Sequence, residues 1–144
     1  MKQVDVEFEK VLATNEQIDT LFDLLQIRAH KISAEPTNYG EHEKFVNSHP
    51  YICWYLVKCE DKYVGSFYIS KENTIGINVT EKIIKRVIGK IIKFVQDNYE
   101  PLPPIPSVRS GRFSINVPST NTILSDALEE IGCKVAQITY FAPN

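Results

Sequence analysis

Thr74-Ile-Gly-Ile-Asn-Val-Thr-Glu-Lys-Ile-Ile-Lys-Arg-Val-Ile-Gly-Lys-Ile-Ile92 passes from a short apolar run containing Gly76, through a basic turn, into an amphipathic helix. A helix start offers free amide N–H groups and the positive end of the helix dipole, and both favour an anion. Lys82, Lys85, Arg86 and Lys90 add charge of the right sign. A glycine inside a strand marks a bulge or a close approach by another backbone or a ligand. Taken alone, these residues fit a strand followed by an ordinary surface helix whose lysines solvate its outer face. Their position in the chain shifts the balance.

Around this stretch the chain has the make-up of a globular protein. Its 144 residues suit a single domain with one substantial core, at 43% hydrophobic and 24% charged residues. A net charge of -2 gives no global attraction to nucleic acid or to an anionic membrane, so any basic site must be local. The N-terminus carries acids where a signal peptide needs an apolar run, and no segment reaches the ~20 apolar residues that span a bilayer. Cys53, Cys59 and Cys133 are odd in number and show neither a CxxC pair nor a disulfide spacing. Three reduced thiols in a cytoplasmic protein are expected, as small core residues rather than nucleophiles.

The pattern predicts the following elements. Val4 to Val11 alternates as a first strand. Thr14 or Asn15 caps a helix from Glu16 to about His30. Lys31 to Gly40 reads as a loop, and a short helix follows from Glu41 to Asn47. Ile52 to Lys58 is almost wholly apolar, as in a strand covered on both faces. Tyr63 to Ile69 is its hairpin partner, and Thr74 to Val79 is a fourth strand. The next helix sets Ile84, Val87, Ile88, Ile91, Ile92 and Val95 on one broad face and ends near Tyr99, before Pro101. Glu100 to Gly111 is a long proline-rich connection, of a length often tied to function. Phe113 to Val117 reads as a strand, Thr122 to Ile131 as a helix capped by Asn121 and stopped by Gly132, and Lys134 to Phe141 as a last strand. The alternation argues for a mixed α/β sheet with helices on both faces.

This order, with the basic turn after the fourth strand, resembles the GNAT-type N-acetyltransferases over essentially the whole chain. The resemblance implies a bulged fourth strand splayed from the fifth, with acetyl-CoA in the cleft and its pyrophosphate on the loop opening the next helix. The family's loop pattern, Q/R-x-x-G-x-G/A, falls on Ile84-Lys85-Arg86-Val87-Ile88-Gly89. Gly89 and the basic residues agree, while Ile84 stands for Gln or Arg and Val87 for the first glycine. Asn121 and Gly132 keep the family spacing before the last strand, with Cys133 where Phe is usual. His49-Pro-Tyr-Ile-Cys-Trp-Tyr-Leu-Val and Val64-Gly65 also look like this family. By this resemblance Ile77, Asn78, Val79, Lys85, Arg86, Val87, Ile88, Gly89, Lys90 and Asn121 bind the cofactor.

Acyl transfer to an amine needs a neutral amine in attack range, a base, oxyanion donors and, less strictly, an acid for the leaving thiolate. The amide of Asn78 or Val79 is the candidate oxyanion donor. Where the family carries a glutamate base and a tyrosine acid, this chain has Asn116 and Leu128, neither of which titrates usefully. Asn116 can still hold a water or the amine. Glu41, His42 and His49 are candidates on the substrate side, with Tyr140 on the last strand. Irregular spacing of His30, His42 and His49 argues for no metal, and Trp54 and Tyr55 read as core residues. Arg109 and Arg112 fit a solvated loop better than an anion site. The expected activity is acetyl transfer from acetyl-CoA to a primary amine of a small molecule or amino-sugar, with no nucleic-acid or membrane partner and a homodimer allowed. The alternative is a non-catalytic GNAT-like module that binds CoA or a partner.

Overall fold

The computed structural model describes residues 5–27 and 38–144. Val4, Arg28 to His30 and most of the expected loop from Lys31 lie outside them. Strands β1 (Val6–Lys10), β2 (Cys53–Cys59), β3 (Lys62–Ile69) and β4 (Ile75–Val79) form one antiparallel sheet in that order. Helices α1 (Asn15–Gln26) and α2 (Tyr39–Ser48) separate β1 from β2, and α3 (Glu81–Asn98) and α4 (Thr122–Glu130) follow β4.

The side-chain alternation of β2 explains why its sequence is apolar throughout. Cys53 and Val57 point to one face, where Phe67, Ile69 and Ile75 meet Val87, Ile91 and Val95 of α3. Trp54 and Leu56 point to the other, against Ile18, Leu21 and Leu24 of α1 and Val46 of α2. Helices therefore cover both faces, as the sequence predicts. A third cluster seats α4 on α3 through Ile84, Ile88, Leu124, Ala127 and Leu128.

Local chemistry sets the element ends. Thr14 accepts a hydrogen bond from the Gln17 amide, and Gln17 Oε1 accepts from the amides of Leu12 (2.7 Å) and Thr14. The buried Gln17 also donates to the Lys10 carbonyl at 2.8 Å, tying α1 to β1. Glu60 (φ 52°) and Asp61 (φ 66°) both take the left-handed conformation that a two-residue hairpin turn needs.

Three expectations are corrected. Gly76 does not mark a bulge, because β4 pairs with β3 in unbroken register from Ile69↔Ile75 to Gly65↔Val79. The irregularity lies between β2 and β3, at Val57/Lys58. Gly76 instead sits opposite Tyr68, whose ring occupies the space of its missing side chain; a Cβ there would lie 2.0 Å from the ring. An aromatic ring folded over a cross-strand glycine shields its bare backbone.

Phe113 to Val117 is extended but not a laddered strand. Phe113, Ile115 and Val117 are half-buried and Ser114 and Asn116 exposed, yet the only bridge to β4 is the parallel Thr74↔Ser114. Lys134 to Phe141 forms no strand, and all eight residues are exposed. Alternation describes a residue's fit to a pleated surface, and the ladder needs a partner edge that pattern cannot supply.

Candidate active site

The cleft begins where β4 and the extended segment part. The Ile75 amide donates to the Ser114 carbonyl at 2.8 Å, and the Ser114 amide donates to the Asn73 carbonyl at 3.0 Å. Beyond that point no further bridge joins the two. On the other side of β4, the Thr74 carbonyl accepts from Ser70 and the Thr80 amide donates to Val64, so the backbones of the even-numbered residues face β3. Backbone direction alternates along a strand. The N–H and C=O groups of Ile77 and Val79 therefore line an open edge, and those of Asn78 turn to its partner Ser66. Of the two amides considered as oxyanion donors, only that of Val79 is on the cleft side.

The buried Asn73 holds the closed end of this cleft. It is left-handed at φ 64°, and its side chain reaches into the proline-rich connection. Nδ2 donates to the carbonyls of Leu102 (2.9 Å) and Ser110 (2.7 Å), and Oδ1 accepts from the Leu102 amide (2.7 Å). Arg109 serves the same connection, donating to the carbonyls of Pro103 and Lys71. The long connection is thus an anchored strap that sets where Ser114 meets β4. Asn73 falls between two predicted strands, and its composition cue, Asn before a strand, is shared with many ordinary turns.

At the open end the chain enters α3 directly. Thr80 caps it without a side-chain hydrogen bond, and Thr80 O accepts from Ile83 and Ile84. Helix geometry leaves the amides of Glu81 and Lys82 outside the ladder. The segment Ile84–Gly89 is not a loop. It forms turns inside α3 with Ile84, Val87 and Ile88 buried, so its amides are committed to the helix ladder. Gly89 and Lys90 stand roughly 10–12 Å up the axis from Lys82 at 1.5 Å per residue. Lys82, Lys85, Arg86 and Lys90 are exposed, and Lys85 pairs with Glu130 at 3.3 Å. Asn121 accepts from the Leu124 amide at 3.1 Å and so caps α4.

The other predicted side chains are scattered. Asn116 is exposed on the extended segment, and Tyr140 is 86% exposed in the unladdered segment and does not join it. Glu41 lies exposed in the first turn of α2. His42 is buried, with Nε2 bonded to the Ile18 carbonyl at 3.0 Å, and works as a clamp between α1 and α2. His49 is nearer to β4. Its ring packs on Tyr51 and Trp54, Tyr51 stacks on Tyr68 at 3.8 Å, and Tyr68 covers Gly76. Burial holds its pKa below the ordinary histidine value. Its Nδ1 accepts from the Tyr51 amide, so neutral His49 carries its proton on Nε2. That tautomer makes it a positioning group and a poor base. Cys53 is buried, and burial pushes its thiol pKa up despite the opposing pull of the Tyr99 hydroxyl. Among the described residues no three His, Cys, Asp or Glu side chains group as a metal site requires.

Neither family models nor the sequences of curated proteins match this chain. Solved structures do. A domain from Methanocaldococcus jannaschii DSM 2661 superposes with a TM-score of 0.67 at 14% identity, over 93% of this chain and 91% of that one. Aminoglycoside N-acetyltransferase AAC(6')-Iy, in complex with CoA, gives 0.59 at 8% identity, over 99% and 97%. The aminoglycoside acetyltransferase meta-AAC0020, from an uncultured soil metagenomic sample, gives 0.59 at 12% identity, over 96% and 95%. At such identities the likeness is one of fold, and the fold is GNAT-like.

Proposed function

We propose that this chain is an N-acyltransferase that moves acetyl from acetyl-CoA to a primary amine of a small molecule or amino-sugar. The observation that carries this reading is the cleft edge of β4, where Ile77 and Val79 turn unpaired backbone groups toward a segment that has parted from them. An amide-bearing arm such as pantetheine can add to such an edge as a further strand does. The chemistry acetyl-CoA supplies is an activated acyl carbon. The chain's part is to seat that carbon, with the Val79 N–H donating to the oxygen as charge develops there. Lys82 and Arg86 stand exposed in the first turns of α3 and suit the pyrophosphate. Lys85, Lys90, Gly89 and Asn121 form the outer part of the same proposal. Lys85 is shared with Glu130, and Asn121 is already used as a cap. Asn116 orients a water that takes the ammonium proton. A solved neighbour bound to CoA has the same fold, which is consistent with this reading.

A specific observation also favours the second reading, a CoA-binding module without turnover. Ile84–Gly89 is helix rather than phosphate loop, and His49 spends its acceptor on Tyr51. One experiment separates the two. We expect excess CoA to raise the melting temperature, and acetyl-CoA with an amine panel to release free thiol. Stabilisation without thiol release selects the module, and no stabilisation sinks both readings.

A further inference from the structure

Resting on the acetyl-transfer reading, we propose that the acceptor is an amine already uncharged at neutral pH, such as an arylamine, a hydrazine or an alkoxyamine, rather than an alkylammonium or a polycation. The observation behind it is the make-up of the cleft wall on the α1 and α2 side. Ser66 and Tyr68 of β3 stand on that face, and their β4 partners Asn78 and Gly76 stand with them. Ile75, Ile77 and Val79 point the other way, into the clusters of α3 and α4. Across the opening, Phe113, Ile115 and Val117 also point toward α3 and α4. Ser114 and Asn116 therefore share the face of Gly76 and Asn78.

Both sides of the opening thus present serine, asparagine, glycine and tyrosine on this face, and no charge. The charge that the face does carry lies at its other edge. Glu9 on β1 pairs with Lys58 at 3.8 Å and also accepts from the Tyr63 hydroxyl and the Gln17 side-chain amide. Three strand spacings of ~4.8 Å put β1 roughly 14 Å from β4. His49 reaches the wall through Tyr51 and Tyr68, but its Nδ1 is spent on the Tyr51 amide. On the covering helices, Asp19 accepts from the Tyr39 hydroxyl, His42 is bonded to the Ile18 carbonyl, and Glu41 and Glu43 are exposed. The carboxamides of Asn78 and Asn116 have no hydrogen-bond partner among the described residues.

Such a wall offers a cation no counter-charge and no group to take its proton. An alkyl amine with the ~10.4 pKa of lysine is neutral in only ~1 part in 2,500 at pH 7, and its ammonium form has no lone pair for attack. Removing that proton is the task of a general base. A weakly basic amine needs no such step. It both donates and accepts, as each carboxamide does, whereas an ammonium only donates. Its nitrogen lone pair forms the bond to the thioester carbon, the carbon–sulfur bond breaks, and the thiolate leaves. The nitrogen then gives its extra proton to the water held by Asn116, and solvent protonates the thiolate.

Two matched pairs of acceptors test this at neutral pH: aniline against benzylamine, and trifluoroethylamine against ethylamine. Thiol release from acetyl-CoA should give a kcat/KM about tenfold or more higher for the weakly basic member of each pair. With CoA in place of acetyl-CoA, saturation-transfer NMR should show aniline bound and benzylamine unbound; the reverse overturns the proposal. Asn116→Asp, which sets a carboxylate on the wall, should lower the ratio within each pair about tenfold by favouring the alkyl amine. A preference in one pair alone would report shape, and alkyl members favoured in both would report a base. Either result overturns the proposal and leaves acetyl transfer standing. An unmoved ratio in folded Asn116→Asp overturns it as well. Should no amine release thiol while CoA still raises the melting temperature, the transfer reading fails and the proposal falls with it.

Discussion

Asn73 joins two demands that few residues meet together, a left-handed backbone and three hydrogen bonds from a buried side chain to one strap. Replacing it separates them. Asn73→Gly keeps the φ angle and loses the three bonds, at about 1 kcal/mol each. We expect it to cost roughly 3 kcal/mol in urea unfolding, and Asn73→Leu to cost more through added strain. His49 supplies a second test at this scale. Its folded pKa is depressed by burial, so the unfolded chain binds the proton more readily. Stability from this group is complete above the unfolded value of about 6.5 and falls as pH drops through it toward the folded one. Unfolding free energy measured between pH 7 and 5 should therefore decline, and His49→Gln should flatten that slope. Asn73 does not stand out in the sequence, since an Asn before a strand is common in ordinary turns.

At the scale of elements, α3 forms over Glu81–Asn98 as its apolar stripe predicts, and the motif-like run Ile84–Gly89 lies inside it. A glycine inside a motif-like run invites a functional explanation, yet Gly89 lies within a helix. A Cβ there would find its nearest neighbour, Ile131 Cγ2, at 3.9 Å, which is ordinary contact. Gly89→Ala should raise stability by about 0.5–1 kcal/mol, as expected for an exposed helix interior. Calorimetry of the same variant reads the cofactor question, because unchanged CoA affinity would place the pyrophosphate at the first turn and away from Gly89. The helices and hairpin were legible because each carries a local rule: the apolar stripe of α3, the Thr14–Gln17 box, the Asn121 cap. The segments 113–117 and 134–141 carry the right alternation, but a ladder is a relation between two strands.

For the whole molecule, two faces of one sheet are sealed by different helices, and the thiols report this arrangement. Cys53 and Cys59 are buried on the sheet and Cys133 is half-buried after α4. A chromogenic disulfide reagent should label one thiol rapidly in the native protein and the other two only on unfolding. Rapid labelling of all three would mean that β2 opens locally. No helix among the described residues is long and apolar enough to cross a membrane.

Read from the chain alone, the α/β pattern, the helices on both faces and the location of a basic helix start after β4 all follow from periodicity and caps, which act within a few residues. The resemblance of element order was enough to expect a GNAT-like fold, and solved structures bear it out. Other features arise only when distant segments meet. Tyr68 lies over Gly76, Asn73 reaches Leu102 and Ser110, and β4 parts from its neighbour after one bridge. The stretch from Thr74 to Ile92 shows the division within itself. Its strand and helix are local consequences of its residues. The direction in which Ile77 and Val79 point their backbone is set by β3, which pairs with the other edge.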